Sequence, residues 1–469
     1  MDNNNQLQKH YGLFTAICMV VGIVIGSGVF FKAQDILNYT GGNMWLGILA
    51  WLVGGAVMIL CAFTFANMAT KYVKVNGVVD YAEAVVGERY AYMTGWFIST
   101  IYYPAMTGVL AWVTARYTVT LFDPTADVTS GLCMALGTLY LCLMYAVNVL
   151  SPRIAGKFQI ATTVIKLIPL AAIVLIGTTV GLINGNTTAA FSAEAAPSAT
   201  GGLDLSALLA GVAAATFAYD GWIISTSINA ELKDPKKNLP IALVLGAVII
   251  IVVYVLYFIG LTGGATVDVL RAVGSPAAFR ALFGSVGGTL FNACIVLSCC
   301  GTLNGLMLAC TRSLYSLSVR GQGPRPAMFS QLDPQTNIPS NSGVLALLFC
   351  AAWYFYFYAS NLTTPTFGVF SFDSSELPII TIYAIYIPIF IMFIKKEGKK
   401  QRFKNTVMPA LAVLAALFMM FVALYAHGIR PYLAAAAEGR FAFPVLFYLI
   451  VFAIIMSIGA LFYKKQNQG

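Results

Sequence analysis

Long apolar runs recur along the whole chain, and short polar stretches separate them. An α-helix needs about 20 apolar residues to cross the hydrocarbon of a bilayer, so each such run predicts one membrane span. The pattern predicts an all-α polytopic membrane protein with 12 transmembrane helices. The predicted spans cover residues 13–31, 44–66, 91–115, 131–150, 159–182, 205–228, 241–261, 286–312, 342–359, 377–395, 407–428 and 442–463.

Composition and charge agree with a membrane protein. Of the 469 residues, 59% are hydrophobic and 10% are charged, whereas a soluble domain carries about 25% charged residues. Of the 27 Lys and Arg residues, 20 fall in alternate loops on one side of the predicted membrane, and six, including Lys32, fall on the other. The positive-inside rule then predicts a multi-pass protein of the cell membrane with both termini in the cytoplasm. The scatter of basic residues over short loops argues against a nucleic-acid partner, despite the net charge of +9.

Two apolar runs contain a short interruption. Gly26-Ser27-Gly28 interrupts the first span, and Phe217-Ala218-Tyr219-Asp220-Gly221 interrupts the sixth. Each Gly lowers helix propensity by about 1 kcal/mol, and interruptions at matching places in two halves of a membrane protein point to the substrate site of a transporter. If spans 1–5 and 6–10 are inverted copies, the two interruptions meet near the bilayer midplane.

The backbone groups that these interruptions free can bind an anion beside a cation. Amide N–H groups of Gly26–Gly28 start the second half-helix and suit a carboxylate. Carbonyls of Val24, Phe217 and Asp220 end the broken half-helices and suit an ammonium group, so the pair of charges describes an amino acid. The alternative is that the glycines only permit close helix packing. The predicted backbone site comprises Val24, Gly26, Ser27, Gly28, Phe217, Ala218, Tyr219 and Asp220.

The sequence of both interruptions resembles a known family. GIVIGSGVF at 22–30 and FAYDGW at 217–222 are similar to signatures of the amino acid–polyamine–organocation superfamily. Within it they most resemble the L-type amino acid transporters and the bacterial serine/threonine-type exchangers. Further matches are Asn148, KFQIATTVIKL at 157–167, ELKDPKKNLP at 231–240, GTLNG at 301–305, Arg312, Tyr315 and RGQGP at 320–324.

The resemblance implies the LeuT-type fold. Residues 13–182 would form the first five-helix repeat, and residues 205–396 the second, inverted repeat. Helices 1 and 6 would be discontinuous, and residues 407–463 would add helices 11 and 12.

Lys166 is the one remaining basic residue and lies inside the predicted fifth span. An ammonium at a helix centre costs at least about 2.5–3.5 kcal/mol on insertion scales, which favours a functional role over a lysine that reaches the interface. The resemblance implies that Lys166 replaces the second sodium ion of sodium-driven relatives and contacts the backbone near Gly22 and the hydroxyl of Thr302. Transport would then need no sodium, while proton coupling stays open.

Other side chains receive their roles from the resemblance. Tyr102 and Met106 match positions that line the substrate side-chain pocket, and their bulk favours small substrates. Phe217 matches an aromatic gate, with a packed core aromatic as the alternative. Asp220 is either a proton site or a helix cap. The chain departs from the family pattern at Asn67 and Ile223, which leaves gating and substrate identity open.

These observations predict sodium-independent transport of neutral L-amino acids by alternating access, as exchange or facilitated uptake. The alternatives are a proton-coupled symporter of amino acids, a carrier of polyamines or organic amines, and an amino acid sensor without net transport. An enzyme is not expected, because His10 and His427 lie at span ends and no paired carboxylates fall within a span.

We expect no cofactor and no metal, since the nine cysteines show neither CxxC nor Cys/His spacing. Relatives that bind a heavy subunit use a cysteine between spans three and four. Residues Tyr117–Ser130 contain no cysteine, so we expect a monomer without that subunit.

Overall fold

The computed structural model describes residues 12–72, 77–123, 126–192, 204–222, 233–362 and 365–466. Every regular element among them is a helix, as the apolar runs predicted. The first half contains α1 (Leu13–Val24), α2 (Gly28–Tyr39), α3 (Met44–Lys71), α4 (Val78–Val85), α5 (Glu88–Phe97), α6 (Tyr103–Phe122), α7 (Gly131–Leu150), α8 (Pro152–Ala172), α9 (Thr178–Ile183) and α10 (Asn186–Ser192). The second half contains α11 (Leu205–Tyr219), α12 (Pro235–Leu261), α13 (Val267–Val273), α14 (Ser275–Val319), α15 (Pro326–Phe329), α16 (Ser340–Ser360), α17 (Leu377–Glu397), α18 (Met408–Leu424), α19 (Arg430–Ala437) and α20 (Pro444–Gln466).

Five-residue π-helical segments join several of these helices end to end. They cover Ile98–Tyr102, Ile173–Gly177, Phe403–Val407 and Tyr425–Ile429. Such π segments are frequent at functional sites, because they rotate the side chains that follow them. The first one connects α5 to α6 and includes Tyr102, and the last one includes His427.

Nine helices in the described part of the chain are long and apolar enough to cross a membrane. The other three predicted spans are the first, third and sixth. Span one is divided into α1 and α2, span three runs through α5, a π segment and α6, and span six retains only the 15-residue α11 within the described residues. The total of 12 spans and the inverted repeat remain predictions.

Local sequence explains where the helices start. The Asn43 side chain accepts a hydrogen bond from the Leu46 amide at 3.1 Å and so caps α3. Asp204 caps α11 in the same way, by accepting from the Ala207 amide at 3.0 Å. Because the cap fixes the residue at which α11 begins, it also helps to fix the position of Tyr219 at the other end of the helix.

The helices pack in two groups around the interruptions. In one group α12 packs on α1 and α3, and α11 packs on α2 and α3. In the other group α14 packs on α6, α8 and α16. Residues of both groups line the large cavity described below.

One assignment from the sequence is wrong. Lys32 was placed in a loop because it ends an apolar run, but it lies inside α2 and is 3% exposed. Among the residues whose burial the structure describes, the buried lysines are therefore Lys32 and Lys166.

Candidate functional site

The two interruptions lie against each other. α1 ends at Val24 and α2 begins at Gly28, while Asp220 ends α11 in an extended conformation. A Cβ built on Gly28 would lie 2.8 Å from the Ala218 Cα, so only glycine permits this approach. Gly221 has a φ of +97°, which turns the chain away from the helix axis. The sequence prediction that the interruptions meet agrees with this geometry.

Tyr254, from α12, connects the two interruptions, and the sequence analysis missed it. Its hydroxyl oxygen lies 2.9 Å from the Ala218 carbonyl oxygen and 3.2 Å from that of Val24. One hydroxyl thus contacts freed backbone groups of both broken helices. Tyr254 lies in a continuous apolar run, where nothing distinguishes it from a core aromatic.

Partners already exist for two of the three carbonyls that were predicted to be free. The Val24 carbonyl faces Tyr254, and the Phe217 carbonyl accepts the Asp220 amide at 3.3 Å. A carbonyl oxygen has two lone pairs, so each can accept a second hydrogen bond. The hydroxyl of Ser27 is buried and has no hydrogen-bond partner within the described residues.

A cavity of about 970 Å³ opens beside the interruptions. All the predicted site residues contribute to its lining except Tyr219. The Tyr219 hydroxyl donates instead to the Trp51 carbonyl at 2.9 Å, in the packed interior. The predicted residues in the lining are Val24, Gly26, Ser27, Gly28, Tyr102, Met106, Lys166, Phe217, Ala218, Asp220 and Thr302.

The cavity has one open and one closed end. It runs along α14 to Arg312 and Arg320 and reaches the exposed Leu332 and Asn337, and this side is called the Arg320 end. At the opposite side, called the Lys32 end, the Phe31 ring packs edge-on against the Phe217 ring with centroids 5.1 Å apart. Within the described residues, the lining therefore reaches exposed side chains at the Arg320 end, while the Phe31–Phe217 contact lies across the Lys32 end.

The Lys166 ammonium lies behind the first interruption. It donates to the Gly22 carbonyl at 2.5 Å, and Lys166 is 4% exposed. Thr302 lies next to Gly26, because a Cβ on that glycine would be 3.4 Å from the Thr302 hydroxyl oxygen. The Thr302 hydroxyl donates to the Ser298 carbonyl at 3.1 Å. Lys166 thus makes the predicted contact with the backbone of the first broken helix.

Asp220 provides a carboxylate in the cavity lining, and a tyrosine hydroxyl donates to it. Tyr102, from the π segment before α6, donates its hydroxyl to the Asp220 carboxylate. Met106 lies one turn further along and is 2% exposed. The hydrogen bond between Tyr102 and Asp220 joins the π segment before α6, in one helix group, to the second interruption, in the other. Ile223, where the chain departs from the family pattern, lies outside the described residues.

Asn67, the other departure, has a structural role. Its amide donates to the Asn405 side-chain oxygen at 2.8 Å and to the Lys404 carbonyl at 2.9 Å. Asn67 therefore ties the end of α3 to the π segment that precedes α18.

An ionic cluster that the sequence analysis missed lies at the Lys32 end. The Lys32 ammonium lies 2.7 Å from Oε1 of Glu376 and 3.2 Å from Asp35, and it also lies over the Phe217 ring. Nε2 of His427 lies 3.0 Å from Oε2 of the same Glu376 carboxylate. His427 was predicted to lie at a span end, but it is buried inside the long apolar helix Phe403–Ala437, which continues past that end.

Three side chains of this region could also be considered as metal ligands. Potential ligand atoms of Asp373, Glu376 and His427 lie within 4.8 Å of one another. The Asp373 carboxylate, however, accepts the Ser375 and Glu376 amides, and Lys32 already neutralises Glu376. These partners satisfy the group without a metal.

Comparison with known proteins identifies the family. The family model described as amino acid permease matches residues 11–433. The serine/threonine exchanger SteT of Bacillus subtilis is 29% identical over 430 residues, which cover 89% of this chain and 91% of that protein. The b(0,+)-type amino acid transporter 1 of Oryctolagus cuniculus is also 29% identical, over 79% of this chain and 78% of its own. The Asc-type amino acid transporter 1 of Mus musculus is 27% identical over 353 residues, which cover 73% of this chain and 63% of that protein. The chain, a multi-pass membrane permease, belongs to the amino acid permease family.

Proposed function

We propose that the chain exchanges neutral L-amino acids across the cell membrane by alternating access, without sodium. The observation that carries this proposal is the arrangement at the interruptions, where the first amides of α2 adjoin the last carbonyls of α1 and α11 beside one cavity. An anion and a cation a few Å apart fit this set of donors and acceptors, and an amino acid carries both.

Each end of the substrate has a proposed partner. Amides of Ser27 and Gly28 and the unpaired Ser27 hydroxyl receive the carboxylate. Carbonyls of Val24, Phe217 and Asp220 receive the ammonium through their remaining lone pairs. Tyr102 and Met106 limit the room for the substrate side chain, which favours small neutral amino acids.

Lys166 supports the absence of sodium coupling. Its ammonium donates a hydrogen bond to the carbonyl oxygen of Gly22. A sodium ion at this position would need the same oxygen as a ligand. A fixed positive charge at that position also repels a cation.

The charge distribution supports an orientation. The basic loops surround the Arg320 end, so we assign that end to the cytoplasm and the Lys32 end to the outside. The structure then represents an inward-open state, and transport requires the two helix groups to rock about the interruptions. We infer the two inverted five-helix repeats, 13–182 and 205–396, from the resemblance alone. The lack of a cysteine in Tyr117–Ser130 supports a monomer that needs no heavy subunit.

Reconstitution tests the proposal. Proteoliposomes loaded with unlabelled amino acids are assayed for uptake of labelled serine, alanine and leucine, with and without sodium. We expect uptake that the internal amino acid stimulates and that sodium does not change. Absence of uptake of every amino acid tested would contradict the function, and sodium dependence would contradict the role of Lys166.

A further inference from the structure

The ionic cluster at the Lys32 end joins side chains of three segments, and none of these side chains is among the proposed substrate contacts. Glu376 precedes α17 and is 1% exposed. Each oxygen of its carboxylate has one partner: Lys32 of α2 at Oε1 and His427 of the last π segment at Oε2. A carboxylate so deeply buried requires a cationic or hydrogen-bonding partner, because removing one member of a buried ion pair leaves an uncompensated charge.

The first pair, Lys32 and Glu376, lies where the Lys32 end would open. Lys32 also lies over the Phe217 ring, which closes the cavity with Phe31. An outer opening that moves α2 away from α17 therefore takes Lys32 and Asp35 away from Glu376. His427 remains, because α18, which continues into the His427 segment, packs extensively along α17.

We propose that His427 binds a proton from the outer solution when the outer side opens, and so replaces Lys32 as the cation that neutralises Glu376. This inference rests on the proposed function and orientation. Lys32 keeps its own proton, and the proton on His427 comes from outside water. With Lys32 in place, Glu376 already has a cation 2.7 Å away, so a proton on His427 gains less in the closed cluster than after Lys32 and Asp35 have moved away. Protonation of His427 therefore stabilises the outward-open state more than the closed state, and lower outer pH favours opening.

Other groups around His427 do not supply this charge. α11 and α18 contain no Asp, Glu, Lys, Arg or His, and the titratable residue of α20 nearby, Tyr448, donates to Thr381. Asp373 caps α17 by accepting hydrogen bonds from the amides of Ser375 and Glu376. Arg116 donates to the side-chain oxygen of Gln34, and its positive charge attracts the Asp35 carboxylate. Arg430 lies over the Tyr39 ring. The charged or titratable groups that face the cluster are Asp35, Tyr39, Arg116, Asp373 and Arg430.

The chain contains two histidines, His10 and His427, which supplies a matched control. Proteoliposomes with a strongly buffered lumen and saturating internal amino acid are assayed for uptake as the outer pH is lowered from about 8 to about 5.5, the range in which histidine changes charge. We expect uptake by the wild type and by His10→Gln to rise several-fold toward acid pH. We expect His427→Gln, which keeps a neutral donor for Glu376, to lose most of that rise. An unchanged pH profile in His427→Gln would overturn the inference.

A second measurement does not depend on transport. Lys32 is buried in the closed state, whereas Lys157 is exposed, so an amine-reactive reagent followed by peptide mass spectrometry reports the ratio of the two labels. The ratio corrects for the effect of pH on the reagent. We expect it to rise at acid pH in the wild type, to stay constant in His427→Gln, and to be high at every pH in Glu376→Gln, whose neutral side chain needs no counter-ion. A wild-type ratio that does not change with pH would overturn the inference. A pH-dependent ratio without uptake of any amino acid would support the role of His427 in opening the Lys32 end, but it would contradict the proposed function.

Discussion

The ammonium of Lys166 donates a 2.5 Å hydrogen bond to the carbonyl of Gly22, one turn before the first helix interruption. The lysine comes from α8, in one helix group, and the glycine from α1, in the other. A single buried charge thus holds the end of the broken helix against the neighbouring group. The contact therefore helps to hold the interruption in its observed shape.

Replacement of this lysine tests the contact. In Lys166→Ala the Gly22 carbonyl loses its charged donor, and we expect amino acid exchange to slow by about tenfold or more, since hydrogen bonds to charged groups are worth about 1.5–3 kcal/mol. The exposed Lys157, on the same helix, provides the control Lys157→Ala. Exchange rates in proteoliposomes distinguish the two variants. A wild-type rate in Lys166→Ala would exclude a role for this ammonium in transport.

Tyr254 provides a second test of how the interruptions are held. In Tyr254→Phe the carbonyls of Ala218 and Val24 lose their common partner. Since an unsatisfied buried polar group costs about 1–3 kcal/mol, we expect KM to rise about tenfold for every transported amino acid alike. The uniform rise follows because these groups face the part that all amino acids share.

Tyr257→Phe is the matched control for this variant. Tyr257 lies on the same helix and is buried, but its ring packs edge-on against Phe30 at 5.5 Å. A KM effect that varies strongly with the substrate side chain would argue that Tyr254 acts on the side-chain pocket and not on the backbone site.

Tyr102 and Asp220 should behave as one unit. Tyr102→Phe and Asp220→Leu each remove one side of the hydrogen bond between the two helix groups. We expect each to reduce exchange of serine or alanine, and the double variant to lose no more than the worse single variant, because the second change removes nothing that remains. Asp220→Asn keeps an acceptor for the hydroxyl and should retain more activity than Asp220→Leu. Losses that simply add in the double variant would show that the two side chains act independently.

The sequence indicated the two helix interruptions but not the ionic cluster at the Lys32 end, for a physical reason. An interruption such as Gly26-Ser27-Gly28 is visible because glycine disfavours helix locally. The ion pair between Lys32 and Glu376 joins positions more than 300 residues apart, and each alone reads as the polar end of an apolar run. His427 likewise gains its meaning only from a tertiary contact. Tyr254 is hidden for the same reason, since an apolar run does not indicate which way a hydroxyl points.

The close approach of Gly28 to Ala218 gives a test of the crossing itself. In Gly28→Ala the new Cβ would fall 2.8 Å from a backbone atom, which cannot be displaced as a flexible side chain can. We expect the overpacking to destabilise the protein by about 1–3 kcal/mol and to abolish or strongly reduce exchange. Gly156→Ala is the control, because a Cβ there meets nothing within 4 Å and adds helix propensity on α8. Thermal stability in detergent and exchange in proteoliposomes are measured for both variants. Wild-type exchange by Gly28→Ala would mean that the two broken helices separate at this point during transport, and that their contact is not needed to form the site.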